Sequence, residues 1–130
     1  MPEDVIRNPA NPDHWMALQP VKGMVLIMAG REVLIETRDA LRCVEVGKKV
    51  YDPVLYVPLK EVKAGLGKRA ESTHCPLKGE ASYFDWIDQT GAVRAEKIAW
   101  AYLEPHDFAK GLAGRCAFYT DGLTVVRAPG

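Results

Sequence analysis

The chain has 130 residues, 48% apolar and 26% charged, a balance typical of one soluble globular domain rather than of a disordered chain. Its 17 basic and 17 acidic residues cancel, so no long-range field attracts nucleic acid or an anionic membrane, and neither is expected as a partner. No apolar run reaches the roughly 20 residues of a membrane helix, and the first residues lack the basic start and apolar centre of a signal peptide, so we expect a cytoplasmic protein.

The cysteines exclude two further classes of site. Cys43, Cys75 and Cys116 are an odd number and are widely spaced, with no Cys-x-x-Cys pair. Such a set favours neither a disulfide framework nor a structural zinc site. We therefore predict free thiols in a reducing compartment, with no metal and no cofactor.

The N-terminal segment, residues 1–21, is predicted to be an irregular arm. Four of the nine prolines lie within it, and proline interrupts both helices and sheet ladders. Trp15 and Met16 would attach the end of the arm to the body of the protein by burying apolar area. The folded domain is then expected to span residues 22–130.

The first strands of that domain follow the arm. Residues 23–29 and 31–37 are rich in β-forming side chains and flank Gly30, which supplies the positive φ of a hairpin turn. Residues 41–46 are predicted to be a third strand. Residues 53–58 begin and end with proline, which cannot donate to a ladder, so they are predicted to form an edge strand or a strand with paired bonds only in its middle.

The middle of the chain is predicted to pass from helix to loop to strand. Residues 59–66 have the length of about two helical turns and follow Pro58, a residue suited to a helix start. Residues 72–79 are predicted to be a loop with an unusual density of chemically active side chains. Residues 80–87 then form a long strand.

The last third of the chain is predicted to contain three strands. Residues 94–103 are the first, and Asp121-Gly122 lies between the β-rich runs 115–119 and 123–127, which is a strong hairpin signal. With about eight strands and no long amphipathic helix, the predicted class is mainly β, with antiparallel sheets and one or two short helices.

Four stretches of the sequence together resemble a known family. They are Thr37-Arg38-Asp39-Ala40-Leu41; Val54-Leu55-Tyr56-Val57-Pro58; Thr73-His74-Cys75-Pro76-Leu77-Lys78-Gly79-Glu80; and Ala99-Trp100-Ala101-Tyr102 followed by Gly114-Arg115-Cys116. In this order they resemble the bacterial family called domain of unknown function 427, over about residues 22–126.

The resemblance implies a fold similar to the β-tent, in which two small antiparallel sheets lean together, as in methionine sulfoxide reductase B and the ligand-binding domain of cereblon. Many β-tent proteins hold zinc with two Cys-x-x-Cys pairs, which this sequence lacks, so no zinc is carried over. Some relatives are labelled nucleotidyltransferases, but the chain has no Gly-Ser turn followed by an Asp-x-Asp pair for a metal-bound nucleotide. The family has no agreed activity, so the chemistry stays open.

Lys78 and Glu45 are the charged residues most suited to chemistry. Lys78 stands between a proline and a glycine, and a lysine beside a pocket can bind a carboxylate or phosphate, or act as a base or nucleophile when desolvated. The alternative is a solvated turn lysine. If Glu45 shares a strand face with Cys43, it points inward and needs a partner such as Lys78 or Arg42. An inward Glu-Lys pair would suit acid–base chemistry.

His74 and Cys75 are adjacent, so on an extended backbone their side chains point apart and do not form a dyad. Cys75 would act as a nucleophile only if His74 curled back or His106 approached it. The alternative is a buried, unreactive thiol. Cys43 and Cys116 are expected to pack in the core.

Tyr56, Trp100 and Tyr102 are the main aromatic set. Trp100 and Tyr102 are two residues apart on one predicted strand and therefore share a face. Such a surface can line a ligand pocket, where it stacks a flat ring or cages a cation. The alternative is that the rings fill the core between the sheets.

Three hypotheses follow. The first is a small-molecule-binding module with a pocket between the sheets. Its expected ligand-binding residues are Tyr56, Lys78, Trp100, Tyr102 and Arg42. The second is an enzyme that uses the same pocket for proton transfer or covalent attack. Its candidate catalytic residues are Lys78, His74, Cys75 and Glu45. The third is a structural or partner-binding domain, such as a homodimer in which the arm packs across the second copy.

Overall fold

The computed structural model describes residues 5–129. Its strands are β1 (Val5–Asn8), β2 (Asn11–Pro20), β3 (Met24–Ala29), β4 (Glu32–Thr37), β5 (Leu41–Val46), β6 (Val54–Pro58), β7 (Gly65–Cys75), β8 (Gly79–Ile87), β9 (Val93–Ala101), β10 (Arg115–Phe118) and β11 (Thr124–Ala128). Two short 3-10 helices, Leu59–Glu61 and Asp107–Leu112, lie between strands. Within this part of the chain, no helix has the length and apolar character to cross a membrane.

The strands form two antiparallel sheets of unequal size. Eight strands lie in the order β1-β2-β5-β6-β10-β9-β8-β7, and three lie in the order β11-β3-β4. We call β1-β2-β5-β6 the first leaf of the large sheet and β10-β9-β8-β7 its second leaf. The large sheet is curled, because Lys78, directly before β8, contacts Glu45 on β5 although β6, β10 and β9 lie between these two strands in the sheet order. The predicted mainly β, antiparallel class is confirmed.

The expectation of an irregular N-terminal arm is wrong for the described residues. β1 and β2 form a hairpin, and β2 pairs with β5 from Trp15 opposite Val46 to Pro20 opposite Leu41. The prolines do not prevent this, because Pro12 and Pro20 lie near the two ends of β2, where a missing N–H costs little. Residues 5–20 therefore belong to the large sheet rather than to a separate arm.

The middle of the chain contains less helix and more strand than predicted. Only Leu59–Glu61 is helical, and Gly65 begins β7 instead of ending a helix. A Cβ at Gly65 would stand 2.8 Å from the backbone oxygen of Ile87, so the glycine permits close pairing with β8. The predicted loop at 72–79 is the end of β7, a tight turn and the first residue of β8.

The predicted hairpin at the C-terminal end is also wrong. β10 pairs with β6 and β9 in the large sheet, whereas β11 pairs with β3 in the small one. The Asp121-Gly122 turn, with Gly122 at φ 77°, carries the chain from one sheet to the other. A turn sequence specifies a change of direction but not which strands become neighbours.

Side chains on the two faces of the large sheet form two cores. The first core lies between the two sheets and includes Val25, Ile27, Leu34, Ile35, Val57, Phe84, Ile98 and Cys116. The second core lies inside the curl of the large sheet and includes Met16, Cys43, Tyr56, Leu77, Ala81, Tyr102 and Leu112. The expected core positions of Cys43 and Cys116 are confirmed.

Candidate functional site

The β7–β8 turn holds Lys78 in a fixed position. Cys75 pairs with Gly79 across the turn, and Leu77 is fully buried in the second core. The Lys78 carbonyl accepts a 3.0 Å hydrogen bond from the His106 N–H. Gly79 has φ 120°, a conformation that favours glycine, and a Cβ there would lie 3.3 Å from the backbone beside it. These backbone contacts therefore fix the turn from which the lysine side chain extends, independently of its ion pair.

Lys78, Glu45 and His14 form a hydrogen-bonded chain. The Lys78 Nζ donates to Glu45 Oε1, and His14 Nε2 lies 2.7 Å from Glu45 Oε2. The lysine side chain is only 6% exposed, and that of Glu45 is 19% exposed. Because an unpaired ammonium at such a position would be costly, the carboxylate stabilises its burial.

The pKa of Glu45 reflects opposing causes. Burial alone would raise the pKa of this carboxyl group, because it disfavours the charged form. The hydrogen bonds from His14 and Lys78, with the charge of Lys78, outweigh burial and hold the pKa below its ordinary value. Glu45 is thus an ionised carboxylate at neutral pH, with each of its oxygens engaged by a different partner.

A cavity of about 310 Å³ lies next to this chain, and we call it the Lys78 cavity. Its lining comprises Cys43, Glu45, Lys49, Tyr51, Asp52, Val54, Tyr56, Lys78, Trp100 and Tyr102. The Tyr56 and Trp100 rings meet edge to face with centroids 6.5 Å apart, and the Lys78 Nζ lies 5.9 Å from the centroid of the Tyr102 ring. Burial raises the pKa of both tyrosines, so their hydroxyl groups keep their protons near neutral pH and can donate hydrogen bonds.

The location of the cavity differs from the expected gap between two sheets. Cys43, Val54 and Tyr56 come from the first leaf of the large sheet, whereas Trp100 and Tyr102 come from the second leaf or the residue after it. None of the lining residues belongs to the small sheet. The cavity therefore opens between two halves of one curled sheet. That arrangement lets strands remote in the sheet order supply one site.

The structure does not bring Arg42 to this cavity. Cys43 and Glu45 both line it, and strand alternation places Arg42 on the opposite face of β5. The Arg42 Nη1 donates to Gln19 Oε1 over 3.0 Å at the protein surface. Arg42 therefore does not line the cavity in which it was expected to bind a ligand.

His74 and Cys75 also lie outside the lining of the Lys78 cavity. They point apart, as expected: His74 is exposed, and its ring lies 5.7 Å from that of His106, whereas Cys75 packs against the second core. The His106 ring in turn stacks on Phe108 at 5.1 Å. Neither imidazole is hydrogen-bonded to the Cys75 thiol in the described part of the chain, so no thiol–imidazole pair is assembled.

His14 is a residue of the candidate site that the sequence analysis missed. It lies in a segment predicted to be irregular, but it shares a face of β2 with Met16, and Met16 is opposite Glu45 on β5. A diagonal neighbour on an antiparallel sheet is within reach of a long side chain. The alternation of His14, Met16 and Leu18 was the signal that could have indicated a strand here. The sequence analysis also missed three residues at the mouth of the Lys78 cavity, Lys49, Tyr51 and Asp52.

The remaining thiols and possible metal ligands offer little reactivity. Burial raises the pKa of the Cys43 thiol to about 11 and that of Cys116 to about 12, so both stay protonated at neutral pH. Across residues 5–129, no group of three or more His, Cys, Asp or Glu side chains is placed to hold a metal ion.

Comparison with known proteins agrees with the resemblance noted in the sequence. A family model described as "Domain of unknown function (DUF427)" matches residues 17–128. The match begins inside β2 and ends at the last residue of β11, so it covers the small sheet, the large sheet from the end of β2 onwards and every residue that lines the Lys78 cavity. No curated protein matches the chain.

Proposed function

The chain belongs to the DUF427 family, whose function is unknown, and we propose that it is a small-molecule-binding domain whose ligand occupies the Lys78 cavity. The observation that carries the proposal is a lysine only 5% exposed that lines a cavity together with four aromatic residues. Ligand pockets typically combine apolar and aromatic walls with a few well-placed polar groups. Their volumes start near 300 Å³, so a cavity of about 310 Å³ suits a small ligand.

The charges in the cavity favour a ligand without a large net charge. Glu45 already neutralises Lys78, and Lys49 and Asp52 at the mouth contribute one charge of each sign. Among the described residues, Lys78 donates one side-chain hydrogen bond, to Glu45, although an ammonium group has three N–H donors. A ligand oxygen can accept one of the other donors without disturbing the ion pair.

An enzyme that uses Lys78 for proton transfer is the second candidate function. The observation that favours it is the chain from His14 through Glu45 to Lys78, which links a partly exposed imidazole to the cavity. Glu45 would then relay protons between the surface and the cavity. His74 and Cys75 receive no comparable support from their surroundings.

Thermal unfolding in the presence of a library of cellular metabolites tests the binding proposal. We expect at least one compound to raise the Tm of the native chain, because a ligand that binds only the folded state stabilises it. Lys78→Ala should abolish the shift, and Tyr56→Phe should reduce it. Lys110→Ala, which changes an exposed lysine outside the cavity lining, is the matched control and should leave the shift unchanged.

Because Lys78→Ala leaves Glu45 without one partner, the double variant Lys78→Met/Glu45→Gln provides a second test. It removes both charges while it keeps similar side-chain volumes, which restores electrostatic balance in the second core. Loss of the ligand-induced shift in Tm in a well-folded double variant would support binding in the Lys78 cavity. Equal ligand shifts in the native chain, the double variant and Tyr56→Phe would contradict it.

A further inference from the structure

The pairing between the two leaves of the large sheet stops early. β6 pairs with β10 at Pro58 opposite Arg115 and at Val57 opposite Cys116. The next positions along both strands are not paired with each other, and residues 54–56 pair only with β5. The two strands therefore separate beyond the Val57–Cys116 pair, and we call the space between them the β6–β10 cleft.

Strand alternation shows which backbone groups face the cleft. The Leu59 N–H donates to the Gly114 carbonyl, so the backbone groups of Leu59, and two residues earlier those of Val57, point towards β10. The backbone groups of Leu55, two residues before Val57, also point towards β10. On the opposite side, the Tyr119 N–H donates to Ile98 on β9, so the groups of Phe118 point towards β6.

Leu55 and Phe118 are thus the residues that would form the next hydrogen-bonded antiparallel pair, but they are not paired. Each presents one N–H and one C=O towards the other across the cleft, and the ladder does not join them. Buried backbone polar groups are almost always hydrogen-bonded in proteins. Phe118 is only 5% exposed. A ligand that supplies both a donor and an acceptor would complete this part of the ladder.

The cleft has a volume that suits such a ligand. A cavity of about 340 Å³ is lined by residues from both rims of the cleft and by Ile27 and Val125 of the small sheet. Its walls are mainly apolar, with Trp100 and Tyr119 packed together at a centroid distance of 4.5 Å. The cavity shares Asp52, Val54 and Trp100 with the Lys78 cavity but does not include Lys78 or Glu45.

We propose that the β6–β10 cleft binds a small amide, of about dipeptide size, in an extended conformation. Its amide N–H and C=O groups bond to Leu55 and Phe118 as a neighbouring strand would, and an apolar side chain contacts Ile27 and Val125. A volume of about 340 Å³ favours a free small molecule over a longer protein segment. This site is independent of the ligand proposed for the Lys78 cavity.

Amide hydrogen exchange measured by NMR tests the proposal with N-acetyl-leucine methylamide as the probe. In the free protein, we expect the Leu55 and Phe118 amides to exchange faster than those of Val57 and Cys116. At a probe concentration ten times its Kd, exchange at Leu55 and Phe118 should slow roughly tenfold. N-acetyl-leucine methyl ester lacks one N–H donor and should bind about fivefold more weakly, as expected for one hydrogen bond.

A matched pair of variants tests the location. Val125→Trp should fill the cleft and abolish probe binding, whereas Val126→Trp changes an exposed neighbour on the same strand that does not line the cavity, and should retain binding. Protection of Leu55 and Phe118 equal to that of Val57 in the free protein would overturn the proposal. So would equal affinity for the ester, or exchange at both amides that saturating probe leaves unchanged.

Discussion

The two faces of the large sheet differ in what they bury. The face that meets the small sheet packs apolar side chains such as Val57 and Ile98 against the fully buried Val25 and Ile35 of that sheet. The face inside the curl also buries large apolar side chains, but there an ion pair between Glu45 and Lys78 stands beside a cavity of about 310 Å³. A face built for stability alone would not retain a buried charge pair, since apolar replacements are often at least as stable.

The difference indicates a division of roles within one sheet. The first core joins the two sheets, and the second core borders the cavity to which we assign the proposed ligand. Substitutions in the first core should therefore lower stability without a specific effect on binding, and substitutions around Lys78 should separate binding from stability. Four predictions test this division, in order of decreasing effect.

Truncation in the first core should have the largest effect. Ile35→Ala removes a fully buried side chain and should lower the free energy of unfolding by about 2–5 kcal/mol, because transfer free energy is lost and a cavity remains. Urea denaturation gives the value. Val93→Ala, at a position 53% exposed, is the control and should cost less than about 0.5 kcal/mol. A small effect of Ile35→Ala would mean that the first core does not hold the sheets together.

Removal of the lysine alone should have the next largest effect. Lys78→Met leaves Glu45 partly buried with only His14 as a partner and should cost about 1–3 kcal/mol. The double variant Lys78→Met/Glu45→Gln should recover most of that loss, because no unpaired charge remains. A double-mutant cycle by urea denaturation measures the coupling. Additive effects of the two substitutions would show that the ion pair contributes no coupling.

The acid dependence of stability should identify Glu45 as an ionised group. Its folded-state pKa lies below that of the unfolded chain, so it stabilises the fold at neutral pH, and this contribution is lost as the pH falls through the folded-state pKa. Glu45→Gln should therefore show a shallower loss of stability below about pH 4.3, the ordinary glutamate pKa. Parallel curves for the native chain and the variant between neutral pH and pH 3 would contradict the assignment.

Replacement of Arg42 should have the smallest effect. Its guanidinium bonds to Gln19 on the face of β5 away from the cavity, so Arg42→Ala should change the free energy of unfolding by less than about 0.5 kcal/mol. Ligand-induced shifts in Tm should equal those of the native chain. A lost shift would place Arg42 back in the binding site.

Local sequence patterns predicted individual strands better than their partners. The strand at Leu41–Val46 was predicted to the residue, and the hairpin around Gly30 is present. The proline content of residues 1–21 obscured the strand that carries His14, because Pro12 and Pro20 lie near the two ends of β2, where proline is tolerated. The turn at Asp121-Gly122 is present too, but no local signal indicates that β11 joins the other sheet.

The site was predictable to the extent that alternation fixes side-chain direction. Because Cys43 lies two residues before Glu45, an inward Cys43 implied an inward Glu45, and the contact with Lys78 follows from the curl of the sheet. The same alternation excludes Arg42 from that face. His14 could not be placed without the pairing of β2 with β5, which is a long-range contact.

The environment of the Lys78 amine is the most direct test of the account. NMR of the lysine side-chain NH3+ groups in ¹⁵N-labelled protein should show a Lys78 signal with slow hydrogen exchange, because the group is buried and bound to Glu45. Its signal should shift on addition of a compound that raises the Tm, while that of Lys110 stays unchanged. Exchange of Lys78 as fast as that of exposed lysines, or a signal that no stabilising compound shifts, would contradict the proposed site.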